Sequence, residues 1–196
     1  MHPYATDSNE RQMITFGLAV LAIGIAWALF RLFALVNFTV PWWLDAPSTM
    51  GIFGLFYTAF DKALWRQGWV RRIGLVKVPD LEGRWQGHVR SSFDQNSREH
   101  EVSVRIKQSW TRISLVLEST NSASKTLVGS LQVDTPDGSV LSYQYRNEPK
   151  PDALGTMQIH YGTARLVLRD AVVLDGDYYS GRGRQQYGSI ILRKVQ

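Results

Sequence analysis

Hydrophobic and polar residues are patterned in two different ways along this chain, and the change falls near Pro79. From Met13 to Val36 the sequence reads MITFGLAVLAIGIAWALFRLFALV, in which Thr15 and Arg31 are the only polar residues among 24. About 20 apolar residues in a helix span the roughly 30 Å hydrocarbon layer of a bilayer, so the run predicts a transmembrane helix. A buried core helix and a signal peptide are the alternatives. A signal peptide needs a basic start, a shorter apolar core and a small-residue cleavage site. Here His2 to Asn9 is not basic, and no such site follows before Phe38.

A second apolar stretch, Pro47 to Trp65, is shorter and carries Asp61 and Lys62 near its end. Its setting decides how it is read. Pro41, Trp42, Trp43, Asp45 and Pro47 make a compact break of the kind found where a chain turns at a membrane face, and Pro47 suits the first turn of a helix. The expectation is a transmembrane hairpin over 13–66, with helices at about 13–36 and 47–65, preceded by a cytoplasmic tail over 1–12. Lys62, Arg66, Arg71, Arg72 and Lys77 crowd the exit of the second helix, while the 37–47 loop has no basic residue. By the positive-inside rule both termini are then cytoplasmic and the protein is multi-pass, with Trp65 and Trp69 at the inner interface. The same five basic residues also suit anionic lipid or nucleic acid.

After a linker over 67–79 the period becomes two, which means strands. Trp85, Gly87 and Val89 share a face, as do Val102, Val104 and Ile106, with Arg105 and Lys107 opposite. Ile113, Leu115 and Leu117 align next, then Leu127, Gly129, Leu131 and Val133. The turn Thr135-PDGS leads into a strand with Leu141, Tyr143, Tyr145 and Asn147 on one face. The segments at 156–170, 172–181 and 185–194 supply about three more. About eight short strands without a helix-period segment among them predict an all-β domain over 80–196, a small barrel or a sandwich, and closure is the usual way to remove exposed edges. A barrel of about eight strands holds side chains or one small ligand.

Composition refines this only in part. The mean hydropathy of −0.17 averages an apolar hairpin with a polar β-domain. The absence of cysteine excludes disulfide scaffolds, thiolate metal sites and cysteine nucleophiles. Four histidines, His2, His88, His100 and His160, lack metal-ligand spacing, and no zinc-protease, phosphate-loop or nucleophile-elbow pattern is present. An enzyme is therefore disfavoured. The net charge of +5 divides into +3 over residues 1–78 and +2 over 79–196, so an anion site on the barrel has to be local.

Candidate chemistry lies in polar clusters between the apolar runs. Aromatic rings stack bases, hydroxyls and amides read their edges, and arginines pair with phosphate oxygens. On that basis the candidate ligand contacts are Trp110, Ser122, Ser124, Tyr143, Tyr145, Asn147, His160, Thr163, Tyr178, Arg182, Arg184 and Tyr187. Each has a structural alternative: Tyr143 and Tyr145 as barrel core, Asn121 and Ser122 as turn formers, His160 with Gly162 as a bulge, Arg182 and Arg184 as a solvated hairpin tip. In the membrane segment Arg31, Asp61 and Lys62 are candidates for a role in an assembled state, because charges near a bilayer are costly unless paired or hydrated. Snorkelling at helix ends is their alternative.

Two N-terminal apolar helices followed by a small β-domain carrying Leu81-E-Gly83-R-Trp85, Ile106-KQSWTRISLVL, Ser119-TNSAS, Leu141-SYQYRNEPKP, Met157-QIHYGTARL and Gly176-DYYSGRGRQQYGSI resemble the bacterial membrane effectors of CBASS anti-phage signalling, the β-barrel proteins associated with CD-NTases. The resemblance covers nearly the whole chain, and its specificity lies in the combination. It implies an inner-membrane protein with a CD-NTase as functional partner. By the same resemblance a cyclic dinucleotide is the expected activating ligand, with no other cofactor and no DNA or RNA polymer as partner. The resemblance further implies that ligand binding promotes a homo-oligomer and that the helices then disrupt the lipid bilayer so that the infected cell dies. Two rivals come from other classes. A membrane-tethered lipocalin-like carrier would have a lumen without convergent polar groups, and a membrane-bound hydrolase would need a nucleophile and base in one pocket.

Overall fold

A computed structural model describes residues 1–37, 41–155, 157–181 and 185–195, with backbone only for 42–46. The chain divides into two units, Met1–Ser8 with Val78–Gln196, and Asn9–Lys77. The second is thus an insertion between the first strand of a barrel and the rest of it.

In the helical unit, α1 spans Glu10–Leu35 and α2 spans Trp42–Lys62, and the two pack against each other. Among the described residues α1 alone is long and apolar enough to cross a membrane. The expected second span differs from its prediction: α2 begins before Pro47 and contains it, and Asp45, Asp61 and Lys62 dilute its apolar character. Pro47 lies in the second turn and has no N–H to give to the Trp43 carbonyl, a single bond that the helix forgoes near its start. After a single 3₁₀ turn at Leu64–Arg66, the short α3 spans Gly68–Arg72. Trp65 is buried, with the Arg66 and Arg71 guanidinium groups 5.1 and 5.5 Å from its ring. Glu10, also buried, accepts a 2.6 Å hydrogen bond from the backbone N–H of Lys77. That bond ties the first turn of the unit to its last residue.

Among the described residues the β unit has nine strands rather than about eight. They are β1 (His2–Ala5), β2 (Gly83–Ser91), β3 (His100–Gln108), β4 (Arg112–Ser119), β5 (Ser122–Gln132), β6 (Val140–Pro149), β7 (His160–Arg169), β8 (Val173–Ser180) and β9 (Tyr187–Val195). They close in the order β1-β4-β3-β2-β9-β8-β7-β6-β5. All sequential neighbours from β2 onward are antiparallel, as short hairpin loops require, and β2 pairs with β9 to close the ring.

The additional strand comes from the segment expected to be a tail. Near their shared turn β4 and β5 pair directly, through Val116 with Lys125, Leu117 with Ser124 and Glu118 with Ala123. Beyond Thr126 the register of β5 shifts, the two strands separate, and β1 fills the gap. It is antiparallel to β4 at His2 and Pro3 and parallel to β5 at Tyr4 and Ala5. The shift also corrects the expected face of β5. Leu127 is half exposed, and Thr126 stands opposite Tyr145 on the inner side, because one extra residue turns the following side chains to the other face.

One end of the barrel is tightly packed. Trp85, Ile106, Trp110, Ile113, Leu141, Leu166, Leu174 and Leu192 are almost fully buried there together with Val78 and Leu81. The buried Gln108 side chain holds the segment that closes this end, accepting from Leu81 N–H at 2.8 Å and donating to the Pro79 carbonyl at 3.0 Å. Trp85 Nε1–H donates to the Leu81 carbonyl at 2.9 Å. The buried polar groups of Gln108 and Trp85 thereby have partners, which is what makes their burial tolerable.

Candidate functional site

The inner faces of the strands change character toward the other end. Inward positions become Ser91, Ser122, Ser124, Tyr143, Tyr145, Asn147, Tyr178 and Ser180, and the barrel opens into a cavity of about 450 Å³. Small-molecule sites commonly have this size, with a few polar groups set among apolar and aromatic ones.

Tyr143 and Tyr145 are both buried, with ring centroids 6.2 Å apart and planes at 56°. The placement of Tyr145, and of Tyr178 on β8, depends on glycine opposite. A Cβ on Gly162 would overlap the Tyr145 hydroxyl, and one on Gly188 would lie 2.8 Å from Tyr178 Cε1. These two notches let the phenol rings lie along the wall. Burial pushes the Tyr143 hydroxyl far above its ordinary range, with Tyr145 adding a smaller effect in the same direction, so it stays protonated and able to donate.

Asn147, buried on the same strand, accepts from the Ser124 hydroxyl at 2.8 Å, and its amide nitrogen points to Met157 Sδ at 3.3 Å. A thioether is a weak acceptor, so this amide N–H is the polar group best placed to exchange its partner for a ligand carbonyl or ring nitrogen. Ser122 and Ser119 share a 3.2 Å hydroxyl contact beside it. At the rim, His160 Nδ1 lies 3.0 Å from the Gln158 carbonyl, and His100 Nε2 lies 2.9 Å from an Asp94 carboxylate oxygen.

Seven of the candidates, Ser122, Ser124, Tyr143, Tyr145, Asn147, His160 and Tyr178, thus meet around one cavity. Three do not. Trp110 is fully buried at the packed end, where its carbonyl accepts the Tyr4 hydroxyl at 2.6 Å. Thr163 and Tyr187 flank Tyr179 in the ladders and lie on the outer face, since each sits one residue out of phase with an inward neighbour. Arg182 and Arg184 lie outside the described residues. Among the described residues lining the cavity there is no Lys or Arg. A larger concavity of about 760 Å³ borders β2, β3 and β9 and gathers none of the candidates.

Several lining residues escaped the sequence reading. Ser91 and Ser180 continue the inward period of β2 and β8 by one more step, so the signal was present at the strand ends. Met157 and Gln186 come from loops, where no period exists to place them. In the helical unit Arg31 is exposed with its guanidinium 5.4 Å from the Trp27 ring one turn earlier, and Lys62 occupies the last turn of α2, where a cation suits the helix dipole.

The β unit and the helical unit each have counterparts among known proteins. Residues 76–194 match the family described as Cap15, cyclic dinucleotide receptor domain, and residues 12–66 match the one described as Cap15, TM helices. The chain belongs to the Cap15 family. A curated Cap15 protein, CD-NTase-associated protein 15 of Yersinia aleksiciae, is 32% identical over 152 residues, which cover 76% of this chain and 70% of that protein. The resemblance to CD-NTase-associated membrane effectors is thereby borne out. The receptor match coincides with the eight strands β2 to β9, so the cavity lies entirely within it, whereas β1 lies before either matched segment.

Proposed function

We propose that this Cap15 chain is a CBASS effector whose barrel cavity binds a cyclic dinucleotide made by a partner CD-NTase. One observation carries the reading: the receptor-matched segment encloses a cavity of about 450 Å³ in which three tyrosines, a buried amide and a set of serine hydroxyls converge. Bases stack on phenol rings, and Asn147 and the serines are suited to base edges. With no described Lys or Arg on the wall, His100, His160 and the arginines at 182 and 184 are the groups to neutralise phosphate.

The rest of the reading concerns the membrane. α1 and α2 form a hairpin in the bacterial inner membrane, supported by the match of 12–66 to a family of TM helices and by the packing of α2 on α1. The cluster Lys62, Arg66, Arg71, Arg72 and Lys77 keeps the barrel and both termini on the cytoplasmic side. Binding favours a homo-oligomer by mass action, and assembly of the hairpins, with Arg31, Asp61 and Lys62 paired or hydrated within it, breaches the bilayer and kills the infected cell.

The test is calorimetric titration of the full chain in lipid nanodiscs against cyclic dinucleotides built from adenosine, guanosine, uridine and cytidine. The full chain is required because a fragment starting at residue 79 would lack β1. One member of the panel is expected to bind, and Asn147→Ala is expected to weaken it about tenfold or more. A folded protein that binds none of them overturns the receptor reading. Vesicles loaded with dye test the output: ligand-dependent release is expected, and release without ligand or none with it counts against membrane disruption.

A further inference from the structure

β1 has an unusual position, both in the sheet and in the chain. It is four residues long, touches each neighbour through only two ladder pairs, and fills the gap where β4 and β5 separate. It is also the strand that leads into α1, which starts five residues after it. The two cavity tyrosines on β6 stand directly across β5 from this seam. Tyr145 is opposite Thr126, whose hydroxyl accepts the Leu115 backbone N–H at 3.0 Å and meets His2 Nε2 at 3.1 Å. Tyr143 is opposite Gly129, where a Cβ would fall 3.5 Å from Tyr143 Cβ and 3.7 Å from the His2 ring. One residue of β5 therefore separates the cavity wall from β1 at each of two successive positions.

From this juxtaposition we propose that β1 is the output strand of the barrel, a removable stave whose seating between β4 and β5 reports what fills the cavity. The proposal rests on the receptor reading above. A ligand packed against Tyr143 and Tyr145 presses on Gly129 and Thr126, and the His2 contact with Thr126 and the register of Tyr4 beside Gly129 are the first to give. Short strands with few ladder pairs open more readily than the long strands around them, and a ligand shifts that equilibrium to the extent that it prefers the open seam. The consequence reaches the helices through the chain itself. The carboxylate of Asp7, which accepts from the Val133 and Asp134 backbone N–H groups at 2.8 and 3.3 Å, anchors the segment between β1 and α1. Unseating β1 takes its ladder out of the attachment of α1 to the barrel and leaves the Asp7 bonds to carry that attachment, while the Glu10 bond to Lys77 keeps the two ends of the helical unit together.

The chain has no cysteine, so paired cysteines report the seam cleanly. Pro3 and Arg112 are exposed register partners across β1 and β4, and Arg84 and Arg105 are exposed partners across β2 and β3. Facing antiparallel residues lie within disulfide reach. Disulfide formation is timed under mild oxidant in the full chain in nanodiscs, for Pro3→Cys with Arg112→Cys and for Arg84→Cys with Arg105→Cys, with and without a cyclic dinucleotide shown by calorimetry to bind. Slowing of about threefold or more at the first pair only is expected. Bound ligand with an unchanged or faster rate at the first pair overturns the output strand and leaves the receptor reading standing, and so does equal slowing at both pairs. Failure of every cyclic dinucleotide to bind overturns both. If the first double variant misfolds by circular dichroism, Ala5→Cys with Ser130→Cys, partners across β1 and β5, tests the same seam.

Discussion

The two ends of this barrel are built from the same strands and the same inward period, yet one is a solid core and the other a cavity. At the packed end the inward residues are Trp, Leu and Ile, and the polar groups that enter, Gln108 and the Trp85 indole, are fully spoken for by backbone partners. At the open end the same positions carry Ser, Tyr and Asn; there the Ser124 hydroxyl bonds the Asn147 amide, whose nitrogen meets a thioether, and Ser122 meets Ser119. A satisfied polar group in a packed core has no reason to exchange partners. One bonded to a neighbouring serine or methionine can do so for a ligand at little cost. The contrast also separates stability from recognition along one strand, since β6 runs from Leu141 in the core to Asn147 at the mouth.

The largest effect expected from breaking this contrast is at the packed end. Trp85→Ala should destabilise the barrel by about 3–5 kcal/mol, read as a lowered denaturant midpoint, and any loss of binding should follow the unfolded fraction. At the mouth Asn147→Ala should behave differently. It leaves the Ser124 hydroxyl without its acceptor at a cost of about 1–3 kcal/mol, and its larger signature should be weaker cyclic dinucleotide binding by a protein that is still folded.

Tyr143 sharpens the comparison through pH. Its hydroxyl is held above the ordinary 10.0 by burial, so the folded state keeps a proton that the unfolded state releases. Stability is then fully present below about pH 10 and falls as pH rises beyond it. Tyr143→Phe should remove that share of the alkaline loss, seen as a shallower decline of Tm above pH 10 than in the parent.

Thr163→Ala and Tyr187→Ala, on the outer face, should leave affinity within about twofold, whereas inward Tyr145→Ala should not; equal losses at inner and outer positions would sink the cavity as the site. The smallest effect belongs to the rim. Glu99 is exposed and held below the usual carboxylate range by the Arg90 guanidinium 2.6 Å away. The pair therefore stabilises above the ordinary carboxylate pKa and loses its contribution as pH falls through the lowered one. Glu99→Gln should shift Tm barely at all at pH 7, as expected of a solvated ion pair.

Much of this architecture is legible in local pattern. A 24-residue apolar run admits few structures in water or lipid, and α1 lies where it predicts. Period two places Trp85, Val102, Ile113, Tyr143, Tyr145 and Asn147 on inner faces, and all six side chains turn inward. The same alternation turns Thr163 outward, between the inward Gly162 and Ala164. Leu127 differs in kind, because the extra residue in β5 that turns it outward is set by how β5 meets β6 and leaves no mark on composition.

What the sequence by itself determined is the character of each segment: a strongly apolar helix with a shorter, more diluted one after it, a polar and aromatic domain of strands, the face most strands turn inward, and a family resemblance. What only the tertiary structure decided is which segments meet. His2–Ala5 carries too few residues to announce a strand, and it becomes one because β4 and β5 diverge more than 100 residues later and leave backbone groups to be paired. The gathering of seven candidates at one mouth, and the exclusion of Trp110 to the other end, follow from ring closure and register. Alternation tells which way a side chain points and short loops tell which strands are neighbours, but nothing local tells where a strand from the far end of the chain enters the ring.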